Sequence, residues 1–325
     1  MSKILAVLGA TGRQGGSVVN HVLNDPELST QFKIRAVTRD VNSEKTKRLL
    51  SQGDIEVVQG DTLSRASLEM ALTGVHTVFI MTTRPLGPSI TLDPQIALDL
   101  ELNSAKMIAD VAVEQGVEYI IFSTLPPARD ISGGTVTVMT FFDAKAKAEQ
   151  YIRSLPIKSA FVSLGGFMEN FESQPFLAPR RDPSNPDTWI LARHVSSKTQ
   201  VPYIDAAGDT GKFVGAILAE PDKYEGITFC AAERLYSLEE IAAILSKTTG
   251  KTVVYKRISR EEFKERLNMI PEYFAESLVA VTDLAEQFGY FGKGGEERVA
   301  WARENARGKL ASLEDFLERH PLVLK

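Results

Sequence analysis

The chain of 325 residues holds one cysteine, Cys230, so no disulfide framework can form within it and a reducing compartment suits it. Its four histidines, His21, His76, His194 and His320, are scattered without metal-ligand spacing, and no zinc site is expected. No apolar run approaches the roughly 18 residues of a membrane span. Met1-Ser2-Lys3 leads straight into an apolar segment too short for a secretory leader and without its cleavage site. Basic residues do not cluster either. With 37 Lys and Arg against 42 Asp and Glu the formal charge is −5, whereas sequence-independent nucleic-acid binding needs clustered cations to replace phosphate counterions. These absences point to a soluble, cytoplasmic or nuclear protein that touches neither membrane nor nucleic acid directly.

What the chain does contain is an alternation of strand-like and helix-like segments, the pattern of a parallel α/β sheet. Ile4–Leu8 is a short apolar run suited to a strand buried on both faces. Further strands are expected at Phe32–Thr38, Ile55–Gln59, Thr77–Met81, Tyr119–Ser123 and Ser159–Leu164. Helical patterns fill the intervals at Gly12–Leu23, Ser43–Leu50, Ser64–Leu72, Ile96–Gln115 and Phe142–Arg153. The longest has its apolar stripe at Leu98, Leu102, Ala105, Ile108, Ala109 and Ala112, and Gly116 closes it. Beyond residue 165 the punctuation changes. Gln174–Thr188 holds four prolines and several charges and reads as a loop on the substrate side. Ser237 and Glu240 form a capping box for a helix over Leu238–Lys247, Thr252–Arg257 looks like a strand, and Ser312 caps a last helix. The expected architecture is a doubly wound Rossmann domain over residues 1–165 and a smaller C-terminal α/β lobe over 166–325, with strands of the second half free to return to the sheet.

Gly9, Gly12 and Gly15, in Gly9-Ala10-Thr11-Gly12-Arg13-Gln14-Gly15, sit between a buried strand and an amphipathic helix. In that context the first glycine permits the tight turn, the second lets backbone approach a pyrophosphate, and the third lets helix pack on strand. Free N–H groups at the helix start, with the helix dipole behind them, favour the anion. A dinucleotide-binding loop is the reading; a plain strand-to-helix turn is the bland alternative. The end of the second strand selects the dinucleotide. An acid there would accept a ribose 2′-hydroxyl, and a base accommodates a 2′-phosphate. Thr38-Arg39 stands there, with Lys45 further on, Arg13 in the loop, and Asp40 displaced by one position. NADP(H) is favoured over NAD.

With these residues in place the chain resembles the NmrA-like family of atypical short-chain dehydrogenases. The resemblance runs along nearly the whole chain. It is carried by the glycine loop, Ala36-Val-Thr-Arg39, Val58-Gln-Gly-Asp61, Phe142-Asp-Ala-Lys145, Phe167-Met-Glu-Asn170 and Val201-Pro-Tyr-Ile-Asp205. It implies that Asp61 and Thr62 lie against the adenine, that Thr82 and Thr83 border the cofactor, and that Phe167 and Asn170 sit near the nicotinamide. Ser123 and Thr124 stand where the dehydrogenase serine would be, to orient a carbonyl or simply to end the strand.

Short-chain dehydrogenases use Tyr-x-x-x-Lys. Lys145 fits the lysine, but Phe141 stands four residues earlier and has no proton to transfer. The same segment is similar to that of isoflavone-reductase-like enzymes, which lack the tyrosine and are thought to use the lysine as acid or base. Desolvation beside Phe141 and Phe142 would suit that use; anchoring the nicotinamide ribose is the alternative for Lys145. Two functions therefore stand. The first is an NADP(H)-binding redox sensor that regulates a protein partner such as a transcription factor. The second is an NADPH-dependent reductase of a small carbonyl, enone or imine, with Lys145 in place of the tyrosine–lysine pair. Lesser signals are Gly165-Gly166, which mark close approach to a ligand or a helix, and Phe167, Met168, Phe171, Phe176 and Tyr203, which form either core or a wall over the nicotinamide. His194 reads as a solvated loop residue.

Overall fold

The computed structural model describes residues 2–83, 94–137 and 140–324. Its centre is a seven-stranded sheet. The first six strands are β1 (Lys3–Leu8), β2 (Phe32–Thr38), β3 (Ile55–Gln59), β4 (Thr77–Ile80), β5 (Tyr119–Thr124) and β6 (Lys158–Leu164). After β7 (Gly166–Phe167), β8 (Arg180–Asp182), β9 (Asn185–Arg193) and β10 (Gln200–Ile204), which lie elsewhere, β11 (Thr228–Ala231) returns as the seventh. The order β11-β6-β5-β4-β1-β2-β3 is parallel throughout and doubly wound. Its order reverses between β1 and β4, which is where open α/β sheets bind ligands.

Helices cover both faces of this sheet. Those that precede β7 are α1 (Arg13–Asn24), α2 (Leu28–Gln31), α3 (Glu44–Leu50), α4 (Arg65–Leu72), α5 (Pro94–Glu114), α6 (Ala128–Ile131) and α7 (Thr140–Ser154). Side chains alternate across each strand. Ile121 and Val162 point into one layer with Val18, Val19 and Val22 of α1, while Ile120, Phe122 and Phe161 enter the other with Leu68, Ile108 and Ile152. Ser43 and Ser64 cap α3 and α4 by accepting from Thr46 and Ser67 N–H. No helix among the described residues is long and apolar enough to cross a membrane.

Two returning elements escape the sequence pattern. After α8 (Asn170–Ser173), α9 (Ala206–Ala219) lies on the α1 face of the sheet. It contains Gly208, Gly211 and Gly215, which read as helix breakers. Gly211 and Gly215 serve proximity to α1: a Cβ on Gly211 would lie 2.3 Å from the Ser17 carbonyl oxygen, and one on Gly215 2.3 Å from His21 Nε2. Gly211 N–H donates to Ser17 Oγ at 2.9 Å. β11 is only four residues long, too short for a periodicity to register.

The remaining elements are β12 (Arg234–Ser237), α10 (Leu238–Thr249), β13 (Thr252–Arg257), α11 (Arg260–Arg266), α12 (Glu272–Phe288), α13 (Gly295–Glu304) and α14 (Leu313–Arg319). With the earlier strands, β12 and β13 complete two three-stranded sheets, ordered β12-β10-β7 and β13-β9-β8. The capping boxes at Ser237 and Ser312 are both formed. The proline-rich stretch 174–188 is a correction. Instead of one loop it contains β8 and the start of β9, an antiparallel hairpin. Pro183 occupies the turn and Pro186 the exposed end of β9, so neither removes a central ladder bond.

Candidate functional site

Gly9 ends β1 with φ +68°, a left-handed turn that brings its carbonyl back to accept from Gly12 N–H at 2.8 Å. A Cβ on Gly15 would lie 2.4 Å from that same oxygen, so α1 closes on the strand only because this residue has no side chain. Gly12 differs. A Cβ there would meet only Gly9 O, at 3.2 Å, and its outer side is open. Gly12 caps α1 without a side-chain hydrogen bond, which leaves helix-start N–H groups for an anion. Thr11 is half-buried and Arg13 exposed beside it. Gln14 turns inward, where its Oε1 accepts from Ser123 Oγ at 2.6 Å. That bond ties the loop to β5.

The neighbouring strand ends carry the other expected residues. Arg39, just past β2, is exposed and has no ion pair among the described residues. The competing acid is engaged: Asp40 Oδ1 accepts Asn42 N–H at 2.9 Å and its carbonyl accepts Thr46 Oγ1 at 2.8 Å, both organising the entry to α3. After β3, Asp61 N–H donates to Ser67 Oγ and its Oδ1 accepts Leu63 N–H. The Thr62 carbonyl accepts Ser104 Oγ of α5 at 3.1 Å. After β4, Thr82 is buried and Thr83 exposed.

Lys145 reaches from α7 to that same strand end. Its Nζ donates to the Thr82 carbonyl and to Thr82 Oγ1, both at 2.8 Å, and lies 3.0 Å from Glu101 Oε1. Thr82 Oγ1 donates to Glu101 Oε1 at 3.0 Å, closing the cluster. The Glu101 side chain is 3% exposed and that of Lys145 13%. A carboxylate so buried demands a partner, and Lys145 is it. Glu101 was not foreseen. Its signal was present, because three residues after Leu98 and four before Ala105 it interrupts the apolar stripe of α5 with a charge. Near Lys145, Phe142 packs against Tyr290 with ring centroids 5.6 Å apart, and the ammonium lies 5.9 Å from the Phe122 ring centroid.

This strand end, glycine loop and lysine cluster share one edge of one sheet, and the whole chain agrees with them. The sequence pattern of the NmrA-like family matches residues 1–317. The chain belongs to the NmrA-like family. An NmrA-like family domain-containing protein of Dictyostelium discoideum is 29% identical over 98% of both chains. The NmrA-like family domain-containing oxidoreductase FrzB of Cladobotryum sp. is 30% identical, over 79% of this chain and 77% of its own. Among solved structures, NmrA, a negative transcriptional regulator, in complex with NADP, superposes with TM-score 0.76 at 22% identity. It covers 98% of this chain and 94% of that one, a likeness of fold.

In this NmrA-like protein the remaining expected residues lie on other elements. Phe167 is half-buried in β7, paired with Ile204 of β10, and Asn170 opens α8, its Oδ1 accepting from Gln174 Nε2 at 3.1 Å. Met168 and Phe171 are core. Phe176 packs on the cluster around Phe263, and Tyr203 on that around Tyr236. Gly165 and Gly166 both approach β10. A Cβ on Gly165 would lie 3.0 Å from the Pro202 carbonyl oxygen. Thr124 is buried, its Oγ1 3.4 Å from the Lys145 carbonyl. His194 also departs from the solvated loop expected. It is buried at the end of β9, with Nε2 2.8 Å from Asp283 Oδ1 of α12.

Proposed function

We propose that this protein binds NADP(H) along the crevice above β1 and β4 and reports the nucleotide's redox state to a protein partner. Gly9, Thr11, Gly12, Arg13, Gln14 and Gly15 would form the pyrophosphate cradle. Arg39 would meet the 2′-phosphate, Asp61 and Thr62 the adenine, and Thr82, Thr83, Ser123, Lys145, Phe167 and Asn170 the nicotinamide half. The open outer side of Gly12 and the unpaired Arg39 fit that nucleotide. NADPH, when bound, carries a transferable hydride.

One observation carries the sensor reading: each position that serves short-chain dehydrogenase chemistry is committed elsewhere. Ser123 donates to Gln14, residue 141 is phenylalanine, and the three donors of the Lys145 ammonium face three acceptors supplied by Thr82 and Glu101. To reach a ribose, Nζ must exchange one of them. A sensor must distinguish the two redox forms, because a ligand pair of equal affinity shifts nothing. Calorimetric titration with NADPH and NADP+, paired with hydrogen exchange over residues 166–325, tests this. Affinities at least about fivefold apart with altered exchange in the lobe are expected. Equal affinities with identical exchange would remove the sensor.

A reductase is the second reading, and Glu101 favours it. With Lys145 it forms a buried pair of ionisable groups at the crevice, the kind of arrangement that moves protons. Several fungal relatives, FrzB and lnaB among them, are named oxidoreductases. Turnover of a carbonyl, enone or imine at saturating NADPH that falls by about 10²–10⁴ in Glu101→Gln and in Lys145→Arg, with cofactor affinity retained, would establish it.

A further inference from the structure

A second concavity lies at the far edge of the central sheet. Two strands, β5 and β6, separate β11 from β4 and its lysine cluster. It measures about 500 Å³ and is bounded by the turn after β5, by β6 and β11, and by the segment that joins α12 to α13. That is the size of ordinary small-molecule sites. Its walls are mainly apolar, formed by Leu125, Pro126, Pro127, Ile131 and Phe291.

The polar groups are few and converge. Ser163 of β6, 3% exposed, lines the cavity, and its Oγ has no hydrogen-bond partner. A buried hydroxyl is rarely left so unless a water or ligand completes it. Arg298 and Lys293 stand on the rim, both exposed, and neither has an ion pair among the described residues. Arg298 donates to the carbonyls of Phe291 and Lys293, which holds its guanidinium at the rim. Glu149 is the one carboxylate in the lining, and it is already spent on Arg153 and Thr228, at 2.6 Å and 2.8 Å. Positive charge therefore remains at the mouth and an unanswered hydroxyl lies on the floor.

We propose that this cavity is a second ligand site, separate from the glycine-loop crevice, for a small carboxylate with an apolar body. The planar guanidinium matches the two oxygens of a single carboxylate, the Ser163 hydroxyl offers a further donor, and the proline and leucine walls take the hydrocarbon. The reading is independent of nucleotide binding, since none of these residues belongs to that crevice.

Cys230 lines the cavity and is the chain's one cysteine, which makes the site reportable without any label. Burial pushes its thiol up, so alkylation is followed at pH 9 by intact mass. Iodoacetate and iodoacetamide differ only in charge, and the urea-unfolded chain supplies their reference rates. In the folded protein, iodoacetate should gain about tenfold over iodoacetamide relative to that reference, the effect of one charged hydrogen bond, and should saturate with concentration. Benzoate should protect Cys230 from iodoacetamide, and benzamide should not. Arg298→Met should abolish both preferences. Because that variant could disturb the turn it braces, the benzoate–benzamide comparison on the unaltered protein stands by itself. Equal reference-corrected rates, equal protection by the two aromatics, or a thiol inert to both reagents until unfolded would each overturn the proposal.

Discussion

The crevice proposed for the nucleotide has a phosphate end at the glycine loop and a nicotinamide end at Lys145, and the two are made of different material. The phosphate end is backbone: a left-handed glycine, a carbonyl turned inward, free N–H groups and the empty space of Gly12. The nicotinamide end is side chain: a buried lysine–glutamate pair held by a threonine, and a serine–glutamine bond. Backbone sites fail when a side chain is added. Side-chain sites fail when one is removed and its partner is left behind in low dielectric. The two ends should therefore break in opposite ways.

The largest effect is expected at the nicotinamide end. Lys145→Met strands the Glu101 carboxylate and should cost about 3–5 kcal/mol of stability in urea unfolding. Adding Glu101→Leu should recover most of it, since replacing a buried pair by apolar residues is often neutral. A single variant as stable as the parent would make the cluster a surface pair in effect.

At the phosphate end the two inner glycines should part company. Gly15→Ala places a Cβ 2.4 Å from the Gly9 oxygen and should destabilise by about 1–3 kcal/mol, as overpacking does. Gly12→Val should keep its melting temperature and lose detectable NADPH binding, because its side chain would occupy the outer space where the pyrophosphate belongs. If both variants fold alike and bind alike, the contrast between a packing glycine and a ligand glycine disappears.

Cofactor choice comes next in size. NADPH should bind about tenfold more tightly than NADH, the scale of one charge-assisted phosphate contact, and Arg39→Asp should narrow or invert the preference. Equal affinities in the parent protein would remove Arg39 from the argument.

The smallest effect calibrates what a partly exposed pair is worth. Arg307 donates to Asp25 at 2.6 Å and 3.0 Å, and holds its carboxyl well below the usual carboxylate range. That stability is fully present above the unfolded aspartate value near 4 and is lost as pH falls through the lower folded value. Arg307→Ala should therefore cost about 1 kcal/mol at pH 6 and progressively less below about pH 4. A difference that grows on acidification would reverse the sign of the linkage.

This division also explains what could be read from the sequence. The phosphate end is contiguous, so seven consecutive residues announce it, and strands β1 to β6 follow from apolar runs of five to seven residues between helical patterns. The nicotinamide end joins residues 82, 101 and 145 through three separate elements. Spacing identified Lys145, but nothing local says that a glutamate on α5 faces it. α9 was hidden for a related reason. Its glycines signal flexibility in isolation and acquire their meaning only against α1. The hairpin of β8 and β9 was obscured by prolines whose cost depends on which ladder bonds they interrupt.

The fit of α9 on α1 has a consequence for how the protein is made. The hydrogen bond from Gly211 to Ser17 spans 194 positions. A chain leaving the ribosome exposes Val18, Val19 and Val22 early, yet their cover from Phe213, Val214 and Ile217 is synthesised nearly two hundred residues later. At about 5–20 residues per second the apolar face stays open for roughly ten to forty seconds. A newborn chain paused near residue 165 thus presents a nearly complete sheet with one side only partly covered, a surface on which a chaperone would act until the second half of the chain arrives.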